Sequence, residues 1–438
     1  WQHYSPMTGE EILELGRYCQ ERFIDLVPNQ NSFGHLKEWL VHDPYKHLAE
    51  VEDGWMGWGH WFEGPFSLSP AVPETIPFLA SLYDELLPHF NSPYFNVGCD
   101  ETFDVGQGKS KETVAQNGGH RVYLDQLLKI HRLVRERGRI MQFWGDIIIQ
   151  APECIAELPK DLVALEWGYE ANHPYDEHCR QFAAAGVPFY VCPGTSTWLT
   201  LAGRTENALG SMKNAARAGL THGAIGFLNT IWGDRGHQDY QPVTYLPLAF
   251  GAAISWCTAA NESVDVTPYL NQFIFGDHSA RMGQFLFDLG NVYRVAGKRP
   301  GNASILGLIL LDSCDRPQIL DGVTASDLDR AAAEIQRVAQ DLSLVELTCQ
   351  DGPLVLAEMR NTVRMLLHAC ELGKLQLRIR TGETIPAEQV RALLTDLDGI
   401  VAEHRRLWLQ RNRIGGLMEM SLLPLLKVRA LYTSLLKA

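Results

Sequence analysis

The sequence predicts an α/β fold: a (β/α)8 barrel of the TIM type, followed by an all-helical C-terminal domain. Short apolar runs alternate with helical patterns through roughly the first 260 of 438 residues. These runs are almost continuously apolar, as strands buried on both faces of a parallel sheet are. Residues that break the apolar pattern (Asn31, Asp100, Trp144, Trp167, Pro193 and Trp232) fall at or just past the C-terminal ends of the runs. A barrel gathers those ends into one mouth. A doubly wound sheet would bring together only those near a switch point, and no G-x-G-x-x-G or Walker A sequence argues for a nucleotide fold.

Residues 10–22 have a helical period, with Thr8 as N-cap. "RFIDLVPNQNSFGH" then reads as a strand ending near Pro28. Helices are expected over 76–87, 123–137, 177–185, 207–218 and 247–255. Between them lie the strands "YFNVGCDE", "IMQFWGD", "LVALEWGY", "VPFYVCPG" and "GAIGFLNTIWGD". Six strands are two short of a barrel, so strands one and two are expected upstream of Trp1. The alternation stops near Asn261, and long amphipathic patterns cover 326–347, 354–377 and 387–410. Ser326 is the expected N-cap of the first. The expected division is a catalytic barrel over 1–260, N-terminally incomplete, and a helical domain over 261–438. The "RNRIGG" stretch at 411–416 reads as a helix-ending turn.

A formal net charge of −14 and no visible basic stripe exclude a nucleic-acid surface. No run approaches the roughly 18 apolar residues of a membrane helix. The nine cysteines are odd in number and form no CxxC pair, which predicts reduced, mostly buried thiols. This favours a cytoplasmic location, with the periplasm or the exterior left open by the incomplete N-terminus. No HExxH or clustered His/Cys spacing is present, so neither a metal nor another cofactor is expected. Nothing opposes a homo-oligomer.

Asp100 and Glu101 stand side by side after a buried strand and Gly98. One can serve as proton donor while the other orients a group on the substrate. Trp144, Trp167, Trp198 and Trp232 lie near four different strand ends. Brought together, they would form an aromatic box suited to the apolar faces of a sugar and to an acetamido methyl group. "WGD" occurs twice, placing Asp146 and Asp234 two residues past a mouth tryptophan. Either can accept from sugar hydroxyls or cap the next helix. His35 is a candidate partner for a catalytic carboxyl.

Taken together, these residues resemble glycoside hydrolase family 20, the β-N-acetylhexosaminidases. "NVGCDE" resembles the family's His/Asn-x-Gly-x-Asp-Glu signature, "PNQNSFGH" its segment after strand three, and "FWGD", "LEWG" and "TIWGD" its tryptophan-bearing strand ends. The resemblance implies an exo-acting, retaining enzyme that removes terminal β-linked GlcNAc or GalNAc from a glycan or glycoconjugate. Glu101 would be the general acid/base. Asp100 would hold the substrate's acetamido group, whose oxygen attacks to form an oxazolinium ion. Trp144, Trp167 and Trp232 would line the sugar pocket. Asp234 would stand where the family has a glutamate for the outer hydroxyls, and His35 would support the acid. The family's acetamide-binding Tyr has no clear counterpart in "CPGTSTW", where Trp198 is nearest. Asn29 and Asn31 replace acids. Two rival readings are a silent sugar-binding protein on the same barrel, and a glycosidase pairing Glu101 with Glu166 or Asp234.

Overall fold

The computed structural model describes residues 4–437. Thr8 caps the first helix, Gly9–Gln20, in a reciprocal box with Glu11. The expected strand after it does not form over 22–28. Instead the Arg22, Phe23 and Ile24 N–H groups return to the Cys19 and Gln20 carbonyls, with Phe23 in the left-handed region (φ 56°). That run is spent on ending a helix. Only the following stretch joins the sheet: Asn29 bridges Asn96, and Ser32 donates to Val97.

A long connection then carries an antiparallel hairpin not foreseen from the sequence, β1 (Gly54–Gly57) and β2 (His60–Glu63). The main sheet is five parallel strands in sequential order: β3 (Tyr94–Asn96), β4 (Ile140–Trp144), β5 (Val163–Trp167), β6 (Phe189–Cys192) and β7 (Gly226–Phe227). Helices Thr75–Leu86, Gly119–Glu136, Tyr175–Ala184 and Thr205–His222 flank it. The last strand is short, but Leu228 and Thr230 still donate to Val191 and Pro193, extending its pairing towards Trp232. The sheet with its flanking helices is an incomplete (β/α) barrel; eight strands in a closed barrel are not present among the described residues.

Strand alternation divides the sheet's side chains. Phe95, Met141, Phe143, Ala164, Phe189 and Val191 face the helices in one apolar core. Trp144, Val163, Leu165 and Cys192 form a small cluster on the other face, with Trp167 and Trp232 packed at its edge. Beyond the sheet the chain is helical, with long helices Ala325–Leu342, Gly352–Arg380 and Ala387–Arg411. Thr324, not Ser326, caps the first, because its hydroxyl and Asp327 satisfy each other's backbone N–H groups. The apolar core of this half runs back to Ala208 and Met212 of helix Thr205–His222. All nine cysteines are free, six of them buried. No described helix is long and apolar enough to cross a membrane.

Candidate active site

After β3 the backbone stops being extended. Gly98, Cys99 and Glu101 all take positive φ (66°, 72° and 53°). Such conformations are uncommon and costly for Cys and Glu. They answer how neighbouring carboxylates can face one pocket, since on an extended chain they would point apart. Gly98 is needed for a second reason: a Cβ there would lie 2.6 Å from the Asn31 side-chain oxygen.

His35, itself at φ 59°, sits between the two acids. Its Nε2 lies 3.2 Å from Asp100 Oδ2 and 3.3 Å from Glu101 Oε2. Burial opposes charge on this ring, but the hydrogen bonds to Asp100 and then Glu101 outweigh it and carry its pKa from 6.5 up to about 10. The sign follows from linkage: a cation favoured in the folded state stabilises fully below the unfolded pKa and fades as pH rises through the folded one. We therefore expect the stability difference between wild type and His35→Gln to be largest below pH 6.5 and to shrink towards pH 10. Urea denaturation across that range measures it; a difference that grew with pH would contradict the ion-pair reading.

One cavity of about 440 Å³ is lined by Asn31, His35, Asp100, Glu101, Trp144, Trp167, Trp198, Trp232 and Asp234, together with Asn29, Asn96, Tyr169 and Asn302. Nine of the ten residues singled out from the sequence thus meet. The tenth, Asp146, lines an adjoining cavity instead. It accepts from the Glu101 backbone N–H (3.0 Å) and from Trp167 Nε1 (3.3 Å), so it holds two pocket residues in place from behind. Burial, and next the Asp100 charge, push its carboxyl up to about 8. Asp234 is likewise shifted upward, by burial and then by Glu101.

The aromatic wall is closely built. Trp144 and Trp232 rings are 5.5 Å apart, and Trp167 stacks on Tyr169 at 5.2 Å. Tyr169 meets Trp198 edge-on at 4.9 Å. The Trp198 indole N–H, a candidate donor to substrate from sequence, is taken by Asn302 Oδ1 at 2.9 Å. Tyr169 is differently placed: its hydroxyl oxygen accepts from Trp232 Nε1 at 2.7 Å, and the hydroxyl also hydrogen-bonds the Thr230 side chain. Tyr169 was missed in the sequence, although it stands two residues past Trp167 and so shares its face. Asn302 had no signal at all. It comes from the helical half, held by its own N–H to Glu170 Oε1 at 2.7 Å.

Glu166 is not in the pocket. It lies on the helix-facing side of β5, 2% exposed, and accepts from His173 Nε2 (2.8 Å) and His178 Nδ1 (2.7 Å). That removes it as a partner for Glu101 in a separated-carboxylate mechanism. Glu166–His173–His178 and His35–Asp100–Glu101 are the two described groups with ligand atoms close enough to hold a metal ion, within 4.8 Å of one another. Hydrogen bonding within each group accounts for that closeness.

Paired carboxylates bridged by an imidazole, in an aromatic-walled pocket at parallel strand ends, have the make-up of a carbohydrate-processing site. The chain matches the catalytic domain of glycosyl hydrolase family 20 over residues 2–222, half of its length, and it belongs to that family. Among relatives, hexosaminidase D of Bos taurus is 25% identical over 178 residues, which cover 39% of this chain and 48% of that one. A beta-hexosaminidase of Vibrio furnissii is 26% identical over 216 residues, covering 46% and 32% respectively. The chain thus spans less than half the length of these relatives. A solved chitobiase of Flavobacterium johnsoniae aligns over 89% of this chain and 65% of its own, at 16% identity and a TM-score of 0.47.

Proposed function

We propose that the protein is an exo-acting, retaining β-N-acetylhexosaminidase that uses the substrate's own acetamido group as nucleophile. The observation that carries this reading is the Asp100–His35–Glu101 arrangement facing one aromatic pocket. The two carboxylates offer oxygens within 4.8 Å of one another. Inverting enzymes hold their carboxyl groups about 6.5–9.5 Å apart to admit a water. Both acids also lie on one stretch of chain, which suits a division of labour on one side of the sugar.

Glu101 donates its proton to the glycosidic oxygen as the bond to the anomeric carbon breaks. The acetamido oxygen attacks that carbon from the opposite face, giving an oxazolinium ion. Asp100 accepts the amide N–H and balances the positive charge that develops on the ring. Water then attacks the anomeric carbon, the bond from that carbon to the acetamido oxygen breaks to restore the acetamide, and Glu101 takes a proton from the water. Trp144, Trp167 and Trp232 enclose the sugar and exclude solvent, and Asp234 is assigned to its outer hydroxyls. Asn31 and His35 support the acids. The five strands and the Asn29 segment are read as six strands of a (β/α)8 barrel, and residues 1–260 as the catalytic unit.

We assign the donor to the acetamido oxygen to Tyr169, whose hydroxyl lines the pocket and can turn from Thr230 to a bound substrate, whereas the Trp198 N–H is held by Asn302. Loss of one such donor costs on the order of a hundredfold in kcat. Tyr169→Phe is expected to show that loss, and wild-type activity in this variant would refute the assignment. The reading itself is tested by hydrolysis of 4-nitrophenyl β-GlcNAc and β-GalNAc. Binding of these sugars with no turnover at any pH would favour a silent lectin-like protein instead.

A further inference from the structure

We propose that Glu166, His173 and His178 form a binding site for one zinc(II) ion, behind the aromatic wall of the sugar pocket. The site stands whatever reaction that pocket performs. Its ion is structural: it fastens the end of β5 to the loop and helix that follow.

Two imidazole nitrogens and a carboxylate oxygen converge on one point. His173 Nε2 and His178 Nδ1 both reach Glu166 Oε1, at 2.8 and 2.7 Å. The hydrogen bonds that draw these atoms together are ones a metal ion can replace. Two histidines and a carboxylate are a zinc donor set, with bonds of about 2.0–2.2 Å and ligand atoms about 3.4 Å apart in a tetrahedron. The nitrogens therefore need to move from the oxygen by only about 0.6 Å to admit the ion. Each neutral imidazole then carries its proton on the other ring nitrogen, which leaves a lone pair for the metal.

Other parts of the chain hold the three groups in place. Glu166 is buried on its strand. The His173 ring lies against Gly168, where a Cβ would come within 2.2 Å of it, and meets Tyr175 edge-on at 4.6 Å. The His173 carbonyl accepts from Asn214 Nδ2 at 2.7 Å. His178 is in the first turn of helix Tyr175–Ala184, and His173 precedes that helix, so the pair has no regular helical spacing to betray it in the sequence. All three residues line a cavity of about 530 Å³ that shares Trp167, Tyr169 and Asn302 with the sugar pocket. The cavity gives the ion an entry path and room for a water at its fourth position. Imidazole ligands favour zinc over magnesium and calcium, which take oxygen ligands. The His35–Asp100–Glu101 group is a poorer host, because its single imidazole is held as a cation and has no lone pair to give.

Titration calorimetry with zinc chloride on the chelator-treated protein should show one ion bound per chain. His173→Gln and His178→Gln each keep a hydrogen-bond donor for Glu166 but lose the imidazole ligand. Each should weaken zinc binding by about a hundredfold or more, beyond the loss of about 10–100-fold that follows when a residue supporting a ligand is removed. His35→Gln should bind zinc as the wild type does. Crystals of the wild type soaked in zinc locate the ion whether or not the variants fold, and an anomalous peak between Glu166, His173 and His178 is expected. No binding by the wild type, undiminished binding in either of the two variants, loss of binding in His35→Gln, or a peak confined to other residues would overturn the site. None of these readouts involves turnover, so their failure would leave the catalytic reading intact.

Discussion

Glu101→Gln is expected to lower kcat/KM for an N-acetylhexosaminide with a sugar leaving group by about a hundred- to ten-thousandfold, the usual worth of a positioned acid/base. The amide keeps the shape of the side chain and its place beside His35, 3.3 Å away in the native protein, but has no proton to give. Two features separate this loss from misfolding. With a leaving group that needs no proton, such as 4-nitrophenolate or fluoride, cleavage should be spared more than the later attack by water. The oxazolinium or its products should then build up as a burst before steady state. The variant should also lose the limb of the pH profile that reports the acid. Loss of the same size on every leaving group would mean that Glu101 is not the proton donor.

Asp100→Asn has the second-largest expected effect, about a hundred- to a thousandfold in kcat, comparable to removing a preorganised charge-stabilising group. Asn still presents an oxygen to the amide N–H, but without charge to balance the forming ring. Unlike Glu101→Gln, this variant should lose as much on activated substrates as on poor ones, because every leaving group is displaced by the same ring-closing attack that Asp100 supports. His35 also loses its first partner, at 3.2 Å, so its raised pKa should fall. NMR titration of the imidazole would detect that. A variant with full activity and an unchanged His35 titration would remove Asp100 from the mechanism.

Much of the site was legible in the sequence, because strand order in a parallel βα arrangement converts positions far apart in the chain into neighbours. Nine of the ten residues chosen on that basis line one cavity. Strand alternation explains the finer successes and failures. Glu166 and Trp167 are adjacent, so only one of them can face the pocket, and Tyr169 follows Trp167 on the same side. Asp146 is likewise two residues past the end of its strand, β4, but it turns behind the pocket to hold Glu101 and Trp167, so beyond a strand end alternation does not by itself fix direction. The run at 22–28 misled because its apolar residues resemble a strand while the backbone closes a helix. Phe23 and Ile24 are left 101% and 56% exposed. Asn302 could not be found from local pattern, since its partners Glu170 and Trp198 lie more than 100 residues away.

In the proposed mechanism the substrate's acetamido oxygen, not a protein carboxylate, attacks the anomeric carbon. The most direct measurement is kcat/KM for 4-nitrophenyl β-glucosaminides carrying acetyl, monofluoro-, difluoro- and trifluoroacetyl groups on the 2-amine. Each fluorine withdraws electrons from the carbonyl oxygen while changing the size of the group little. Attack by the acetamido oxygen requires a steep, monotonic fall along the series, with no detectable cleavage of the plain β-glucoside. A flat series, or efficient cleavage of the glucoside, would contradict it.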